Sequence, residues 1–350
     1  KDFKMKTQNN ITPLMEQYIE IKRNYSDVLL FFRMGDFYEL FFDDAYLASD
    51  ILNITLTKRG KLEGKDIPMC GVPHHSSDRY IEILIKKGIN IAICEQTETP
   101  EEAKKRGYKA IVNREVVRII TPGTILEDNL IGNKTNNFLL AINEVRDDIS
   151  ISWADISTGK LCTSKTSLQK IFSDIARINP TEVLVSNSYA DKTKINLIKK
   201  EFKLTVLSDS SFNSVNSKRK LFHHFGVKSL SSFGNFTYSM IGSLGAILDY
   251  LIITKSGSNL RLNRPFIEKK NSVLEIDENT RKNLEINQSI TGQKNNSLIN
   301  ILNKTSTSFG FRILQNRLNA PLTDLNCINE RLLLTEFFFE NPSISSDIKE

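Results

Sequence analysis

The chain has 350 residues, 40% of them hydrophobic, and a net charge of +6 at neutral pH. This length exceeds one ordinary domain and predicts a globular protein with two or three separate cores. No apolar run approaches the ~20 residues that span a bilayer, and Lys1-Asp2-Phe3-Lys4 lacks the apolar core of a signal peptide. Four scattered cysteines without a Cys-x-x-Cys pair argue against a disulfide framework or a zinc knuckle and favour the reducing cytoplasm.

The pattern over residues 12–125 predicts a compact mixed α/β domain. Thr12-Pro13 marks the start of a helix that runs to about Tyr25, because threonine caps helices and proline suits the first helical position. Further along, helical spacing and glycine stops predict helices at Phe41–Leu52, Asp78–Lys87 and Thr97–Lys109. Apolar runs predict strands at Val28–Phe32, Ile54–Thr57, Asn90–Glu95 and Glu115–Ile120. Lys58–Asp66 is expected to be a basic, glycine-containing loop.

A boundary is expected near residue 125, followed by a second α/β domain. Three successive strands are predicted first, at Phe138–Val145, Ile149–Asp155 and Lys160–Thr163. Alternating elements follow, at Ser167–Ile178, Glu182–Val185, Lys192–Phe202 and Leu204–Leu207. Antiparallel strands that lead into alternating units imply a sheet whose remainder is largely parallel. Tyr238–Thr254 is predicted as a long apolar helix, and from Asp277 onward the pattern is mostly helical.

The stretch Phe31–Asp44 contains the most informative pair of residues, Phe37 and Glu39. Because side chains alternate across a strand, these two share one face while Tyr38 lies on the other. An aromatic side chain beside a hydrogen-bonding carboxylate is suited to opening a base stack. The tripeptide alone is not specific, since Phe-x-Glu also occurs at Phe266/Glu268 and Phe338/Glu340.

Basic residues near this pair favour a nucleic-acid surface. Lys58 and Arg59 precede Gly60, while Arg114 and Arg118 lie near the end of the first domain. Each alone is ordinarily a solvated surface charge. The excess of Lys and Arg lies mainly between residues 121 and 320, which suits contact with a polyanion without requiring it.

No catalytic constellation stands out in the sequence. Gly60–Gly64-Lys65-Asp66 has too short a loop for a nucleotide-binding phosphate loop. Cys70, His74 and His75 lack a fourth metal ligand at zinc-like spacing. Asp155 keeps a nuclease function as an alternative, because ribonuclease-H-like enzymes place an acidic metal ligand on a strand. The carboxylates available to join it are Asp174, Glu182 and Asp191.

Several long strings, in the right order, resemble the N-terminal part of the MutS family of bacterial DNA mismatch-recognition proteins. They are Phe32–Ala45, Leu56–Gly60, Ile67–Ser76, Ile93–Gln96, Arg114–Thr124, Ala154–Gly159, Asp277–Glu285 and Thr307–Leu322. The resemblance is dense over residues 12–125, thinner over 130–260 and clear again from 273. It implies an α/β multidomain fold: a mixed α/β mismatch-binding domain over 1–125, a ribonuclease-H-like α/β connector over 126–256, and the truncated start of an all-α core and lever domain over 257–350.

The resemblance also implies a function and a set of site residues. Phe37 and Glu39 fall on the family's mismatch-binding motif, and the contacts expected with the DNA backbone or near the lesion are Met34, Asp36, Lys58, Arg59 and Arg114. The implied function is recognition of mismatched or unpaired bases in duplex DNA, which initiates mismatch repair. Two alternatives stay open: a metal-dependent ribonuclease-H-like nuclease, and an interaction scaffold without mismatch preference.

Further expectations concern the full-length family protein. Its carboxyl-terminal ATPase lies beyond residue 350, so ATP and Mg²⁺ are its cofactors, whereas no enzyme activity, cofactor or metal is expected within these residues. The expected partners are double-stranded DNA with mismatches or small insertion/deletion loops, a MutL-type repair factor that contacts the connector, and a second copy of the full-length protein. The expected location is the bacterial cytoplasm, associated with the nucleoid, with no membrane partner.

Overall fold

A computed structural model describes residues 12–107, 110–125, 136–191, 198, 202–254, 262–268, 273–293 and 295–348. The chain divides into two compact units, Lys1–Leu130 with Leu251–Ser258 and Ile131–Tyr250 with Asn259–Glu350. Each unit contains a six-stranded sheet, and helices follow the second sheet to the end of the described residues. The predicted α/β class with a helical final segment is confirmed. The domain boundaries at residues 125 and 256 stay predictions.

The first unit is a mixed sheet with the spatial order β3-β4-β2-β1-β5-β6. Its strands are β1 (Leu29–Met34), β2 (Phe37–Phe41), β3 (Thr57–Leu62), β4 (Lys65–Pro73), β5 (Ile91–Gln96) and β6 (Arg114–Ile120). Its helices are α1 (Pro13–Asn24), α2 (Phe42–Leu52), α3 (Ser77–Lys86) and α4 (Pro100–Arg106). Strands β1 and β5 are parallel, and the other neighbours are antiparallel.

An aromatic cluster anchors the β1-β2 hairpin to α1. The ring of Tyr18 meets Phe32 and Phe41 edge-on, with centroid distances of 5.4 and 4.9 Å. All three side chains are almost fully buried. Aromatic pairs in this geometry stabilise by about 0.5–1.5 kcal/mol beyond their buried area. The two strands that carry the candidate site therefore rest on a rigid core.

The prediction of a loop over Lys58–Asp66 was wrong, because this segment belongs to a β-hairpin. Strand β3 begins at Thr57 rather than Ile54, and β4 begins at Lys65. The turn between them is Glu63-Gly64, with φ values of 51° and 82°, as a tight two-residue hairpin turn requires. Gly60 has a φ of 74° at an irregularity in the β3-β4 register. Charged residues and glycine indicated a loop, but they are also typical of protected sheet edges and bulges.

The second unit has the strand order β11-β10-β7-β8-β9-β12. Strands β7 (Phe138–Val145), β8 (Asp148–Asp155) and β9 (Lys160–Thr166) form an antiparallel meander. The remaining strands, β10 (Glu182–Ser186), β11 (Lys203–Leu207) and β12 (Phe266–Ile267), add in parallel. The predicted antiparallel start with a parallel remainder is confirmed, whereas β12 was not predicted.

Helices after the meander are α5 (Ile171–Ile178), α6 (Asn187–Ala190), α7 (Ser214–Phe225) and α8 (Tyr238–Ile253), of which α8 belongs to the second unit as far as Tyr250. The prediction for Lys192–Phe202 lies largely outside the described residues. Gly242 allows α8 to approach β7 closely, since a Cβ there would lie 2.1 Å from the Asn143 amide nitrogen. Gly245 likewise faces Ser217 of α7, with only 2.0 Å between a built Cβ and the hydroxyl oxygen.

The final segment is helical, as predicted. It contains α9 (Glu278–Asn283), α10 (Leu298–Leu302), α11 (Ser308–Asn319), α12 (Leu325–Glu340) and α13 (Pro342–Asp347). Phe311 and Ile299 are buried, whereas α12 has no buried residue. None of the helices in the described part of the chain is both long and apolar enough to cross a membrane.

Candidate nucleic-acid interface

Phe37 lies at the tip of the β1-β2 hairpin with 48% of its surface exposed. Gly35, with a φ of 60°, forms the turn with Asp36, and β2 begins immediately afterwards at Phe37. Strand β2 then becomes buried from Tyr38 to Phe41. The hairpin therefore presents one large aromatic side chain to solvent from an otherwise buried strand.

Glu39 lies on the same face as Phe37 but is buried, with 8% of its surface exposed. Gly71 of β4 is its partner in the antiparallel register, and a Cβ built on Gly71 would lie 3.8 Å from Glu39 Cγ and 3.9 Å from Phe37 Cδ1. This geometry agrees with the face assignment made from strand alternation. Because glycine has no side chain, nothing at position 71 separates the ring from the carboxylate.

The carboxylate of Glu39 has one occupied oxygen. Arg59 Nη1 donates to Oε1 at 2.5 Å, while Oε2 is buried without a partner among the described residues. Burial raises the pKa of Glu39, and the nearby charge of Arg59 opposes that rise only in part. The carboxyl group is therefore easier to protonate than an exposed glutamate, and one of its oxygens lacks a hydrogen-bond partner among the described residues.

The two predicted basic residues of the hairpin lie on the exposed edge strand β3. Lys58 Nζ donates to Asp66 Oδ2 at 2.6 Å, and 73% of the lysine side chain is exposed. Arg59, beside it, has 44% of its side chain exposed while it contacts Glu39. The sheet thus brings Arg59 into contact with Glu39 of the Phe37/Glu39 pair, whereas Lys58 stays at the exposed edge of the sheet.

Arg114 is buried within the unit rather than displayed on its surface. Its Nε donates to Arg33 O at 2.7 Å, and its Nη1 donates to Val112 O at 2.8 Å. Its guanidinium lies 5.0 Å from the centroid of the Phe32 ring, and burial lowers the pKa of Arg114. The bond to Arg33 links β6 to β1, the first strand of the hairpin.

Met34 and Asp36 flank the turn from opposite sides of Gly35. Met34 is half-buried and packs against the core of the unit, whereas the side chain of Asp36 is exposed. The carbonyl of Asp36 accepts a hydrogen bond from His74 N at 2.8 Å. The turn is therefore held by the end of β4.

Sequence reasoning missed a polar cluster on the face opposite Phe37. The hydroxyl of Tyr38 donates to Glu95 Oε1, which also lies 3.8 Å from Arg33 Nη1 and 3.8 Å from His74 Nε2. Alternation placed Tyr38 on that face but could not identify its partner, because Glu95 comes from β5 and 57 positions separate the two residues.

The two other Phe-x-Glu occurrences differ from Phe37/Glu39 in their surroundings. Glu268 accepts two hydrogen bonds from Arg177, at 3.0 and 2.6 Å, so both of its oxygens are occupied. Phe338 and Glu340 lie at the exposed end of helix α12. Neither occurrence combines an exposed aromatic ring on a hairpin tip with a buried, partly unpartnered carboxylate.

The carboxylates weighed for a nuclease do not converge. Asp155 Oδ1 accepts from the backbone and hydroxyl of Ser157 at 3.0 and 2.7 Å, which is a local turn contact. Glu182 accepts from Tyr250 and Thr205, both at 2.6 Å. Within the described ranges, no group of three or more His, Cys, Asp and Glu side chains is placed to hold a metal ion. The sequence neighbours Cys70, His74 and His75 form no such group either.

Comparison with known proteins covers nearly the whole chain. Family models described as MutS domain I, MutS domain II and MutS domain III match residues 12–129, 137–263 and 279–350. A DNA mismatch repair protein MutS from Wolbachia pipientis wMel is 46% identical over 341 residues, which cover 97% of this chain and 40% of the relative. Proteins of the same name from Cereibacter sphaeroides and Ruegeria pomeroyi are 44% and 43% identical, over 98% and 97% of this chain and 39% of each relative. The chain thus spans about two fifths of the length of these curated relatives.

Proposed function

This chain belongs to the MutS family of DNA mismatch repair proteins, and we propose that its first unit recognises mismatched or unpaired bases in duplex DNA. The observation that carries the proposal is the pairing of an exposed Phe37 with a buried Glu39 on one sheet face. An apolar wedge beside a polar group supplies the two contacts that a displaced base needs, one with its ring face and one with its edge.

Phe37 is proposed to enter the minor groove and stack against the faulty base, which kinks the duplex. Inserted aromatic wedges unstack a base step at a cost of a few kcal/mol, and they bend the DNA towards the major groove. That cost is smaller where pairing is already defective. A mismatch is therefore recognised chiefly by how easily the duplex deforms rather than by the identity of its bases.

Glu39 is proposed to hydrogen-bond the displaced base. A carboxylate close to DNA phosphates is repelled, so its presence requires a specific partner. The burial that raises the pKa of Glu39 favours the protonated carboxyl, which donates to a ring nitrogen, whereas the ionised form accepts from an exocyclic amine. The unpartnered Oε2 is the atom available for either bond.

Arg59 is proposed to link Glu39 to the DNA backbone. Its guanidinium contacts Glu39 in the free protein and its side chain is 44% exposed, so it can exchange a carboxylate for a phosphate. Lys58, Met34 and Asp36 are proposed to contact the DNA close to Phe37 and Glu39. Arg114 was predicted to approach DNA near the lesion, and its buried bonds support a role in holding β1 beneath the turn.

Properties of the whole protein are also proposals. They are an ATP-dependent response to the lesion with ATP and Mg²⁺ as ligands, assembly as a homodimer, and contact of a MutL-type repair factor with residues 126–256. The proposed location is the bacterial cytoplasm, at the nucleoid.

The test is the affinity of the protein for duplexes with a G·T pair or a one-base bulge, compared with a matched homoduplex at the same salt concentration. We expect a preference of about ten- to a hundredfold, since one lesion contact is worth about 1–3 kcal/mol. Equal affinity for all three duplexes would favour the scaffold alternative. Cleavage that requires a divalent metal and disappears in Asp155→Asn would favour the nuclease.

A further inference from the structure

The turn that carries Phe37 is restrained from behind by a cluster of four side chains, Tyr38, Glu95, Arg33 and His74. Tyr38 leaves β2 on the face opposite Phe37, and its hydroxyl crosses β1 to reach Glu95 on β5. Only 4% of the surface of Tyr38 is exposed. Glu95 is therefore joined to the residue next to Phe37, although it lies two strands away from that residue.

Arg33 connects this cluster to the first carbonyl of the turn. Its Nε donates to Gly35 O at 2.5 Å, and its Nη1 lies 3.8 Å from Glu95 Oε1. The same guanidinium lies 5.6 Å from the centroid of the Tyr38 ring. Since guanidinium groups bind carboxylates and stack on aromatic rings, Glu95 and Tyr38 together orient Arg33 towards the turn.

His74 restrains the second carbonyl of the turn. Its backbone N–H donates to Asp36 O at 2.8 Å, and its ring lies 5.3 Å from that of Tyr38. Its Nε2 lies 3.8 Å from Glu95 Oε1. Both carbonyls that precede Phe37 are thus held by residues that converge on one carboxylate.

The bond between Tyr38 and Glu95 is maintained through the neutral range. Burial raises the pKa of Tyr38 above its usual value, and the bond to Glu95 raises it further, so the hydroxyl keeps its proton. A buried hydroxyl that donates to a charged acceptor makes a stronger bond than one between neutral groups. The bond between Tyr38 and Glu95 therefore acts as a fixed support for the turn.

We propose that Glu95 is a positioning residue for lesion recognition, which acts through Tyr38 and Arg33 to hold Gly35–Phe37 in the conformation that presents Phe37. This inference rests on the function proposed for Phe37. A wedge on a loose turn loses conformational freedom when it enters DNA, and that loss weakens the lesion complex. A turn that is already ordered avoids most of this loss. Binding to homoduplex, in which Phe37 is not inserted, does not depend on the cluster.

The test uses Glu95→Ala, Glu95→Gln and Tyr38→Phe in the full chain. Amide hydrogen exchange is measured at Gly35–Phe37 in the free protein, and the affinity ratio of one-base-bulge DNA to homoduplex is measured at fixed salt. We expect faster exchange and a ratio that falls by about two- to thirtyfold in Glu95→Ala, the range for residues that modulate a site without touching its ligand. Glu95→Gln, which keeps an acceptor for Tyr38, should recover part of the ratio, and Tyr38→Phe should be intermediate.

Two variants of the same unit serve as controls. Glu82 pairs with Lys86 on α3, and its side chain is 29% exposed, the same fraction as Glu95. Glu82→Ala should leave both the ratio and the exchange unchanged. Tyr18→Phe removes a buried hydroxyl that donates to Phe41 O at 3.4 Å, away from the turn, and should also leave the ratio unchanged.

Outcomes separate this inference from the proposed function. If Phe37→Ala abolishes the lesion preference while Glu95→Ala and Tyr38→Phe retain it, the positioning role of Glu95 is wrong. The proposed role of Phe37 in lesion recognition is then still supported. If Glu95→Ala weakens binding to both duplexes equally and lowers the melting temperature, the cluster supports only the fold and the inference is overturned. A preference that survives Phe37→Ala contradicts the proposed function itself.

Discussion

Arg59 and Glu39 form an ion pair across the sheet, with Nη1 of the arginine 2.5 Å from Oε1 of the glutamate. Strand β4 separates their two strands in the sheet order. The arginine side chain is 44% exposed, whereas that of the glutamate is 11% exposed. The pair therefore joins a buried carboxylate to a cation that is accessible to solvent.

Arg59 and Glu39 should show a small, measurable interaction free energy. In a double-mutant cycle of Arg59→Met and Glu39→Gln, we expect an interaction free energy of about 0.5–1 kcal/mol in urea unfolding, because exposure of Arg59 screens the attraction. Arg59→Met should also reduce the slope of log affinity against log salt by about one, as loss of one phosphate contact does. If the changes in unfolding free energy of the two single variants add and the salt slope is unchanged, Arg59 stabilises neither Glu39 nor a DNA phosphate contact.

Phe37→Ala should remove lesion preference without weakening nonspecific binding. We expect a loss of about ten- to a hundredfold for bulge or G·T DNA, equivalent to 1–3 kcal/mol, and unchanged, salt-sensitive affinity for homoduplex. Since Phe37 is 48% exposed, the free energy of unfolding should change by no more than about 0.5 kcal/mol. Phe266→Ala is the matched control, because that ring is 60% exposed and also precedes a glutamate by two positions. Equal losses on both duplexes would contradict the wedge.

Glu39→Gln should tighten homoduplex binding and shrink the lesion preference. The substitution removes a negative charge near the phosphates, so nonspecific affinity rises, while glutamine replaces the carboxyl only imperfectly at the base edge. Affinities for homoduplex and bulge DNA, titrated side by side at several salt concentrations, separate the two effects. Discrimination equal to that of the parent protein would remove Glu39 from the recognition site.

Stability should depend on pH through Glu39. Because burial raises the pKa of Glu39 in the folded state, its stabilising contribution is complete below the ordinary glutamate value of about 4.3 and is lost as pH rises through the higher folded pKa. Glu39→Gln does not titrate, so its free energy of unfolding should improve relative to the parent protein between acidic and neutral pH. Urea unfolding of both proteins across that range measures the difference. A constant difference, or one that moves the other way, would show that the folded pKa is not raised.

Local sequence patterns predicted the strands and helices in which apolar residues are buried and polar residues are exposed. Phe138–Val145 is a strand over the predicted range because its apolar run is buried almost throughout. The β3-β4 hairpin escaped prediction, since Lys58-Arg59-Gly60-Lys61 of this edge strand has neither apolar alternation nor strong strand formers. Strand alternation gave the shared face of Phe37 and Glu39. The partners Arg59 and Glu95 depend on sheet order and register, which no local pattern encodes.

Arg114 offers the sharpest distinction between a structural and a DNA-contacting role. The side chain gives hydrogen bonds to Arg33 O, Val112 O and Gln17 Oε1 at 2.7, 2.8 and 3.1 Å. Arg114→Met removes all three hydrogen bonds, and we expect a loss of about 2–3 kcal/mol in the free energy of unfolding, the scale of buried hydrogen bonds from a charged group. Arg114→Lys should lose less, since an ammonium retains the charge but not the planar fork. A DNA contact would in addition reduce the slope of log affinity against log salt by about one in Arg114→Met, whereas a purely structural role leaves that slope unchanged.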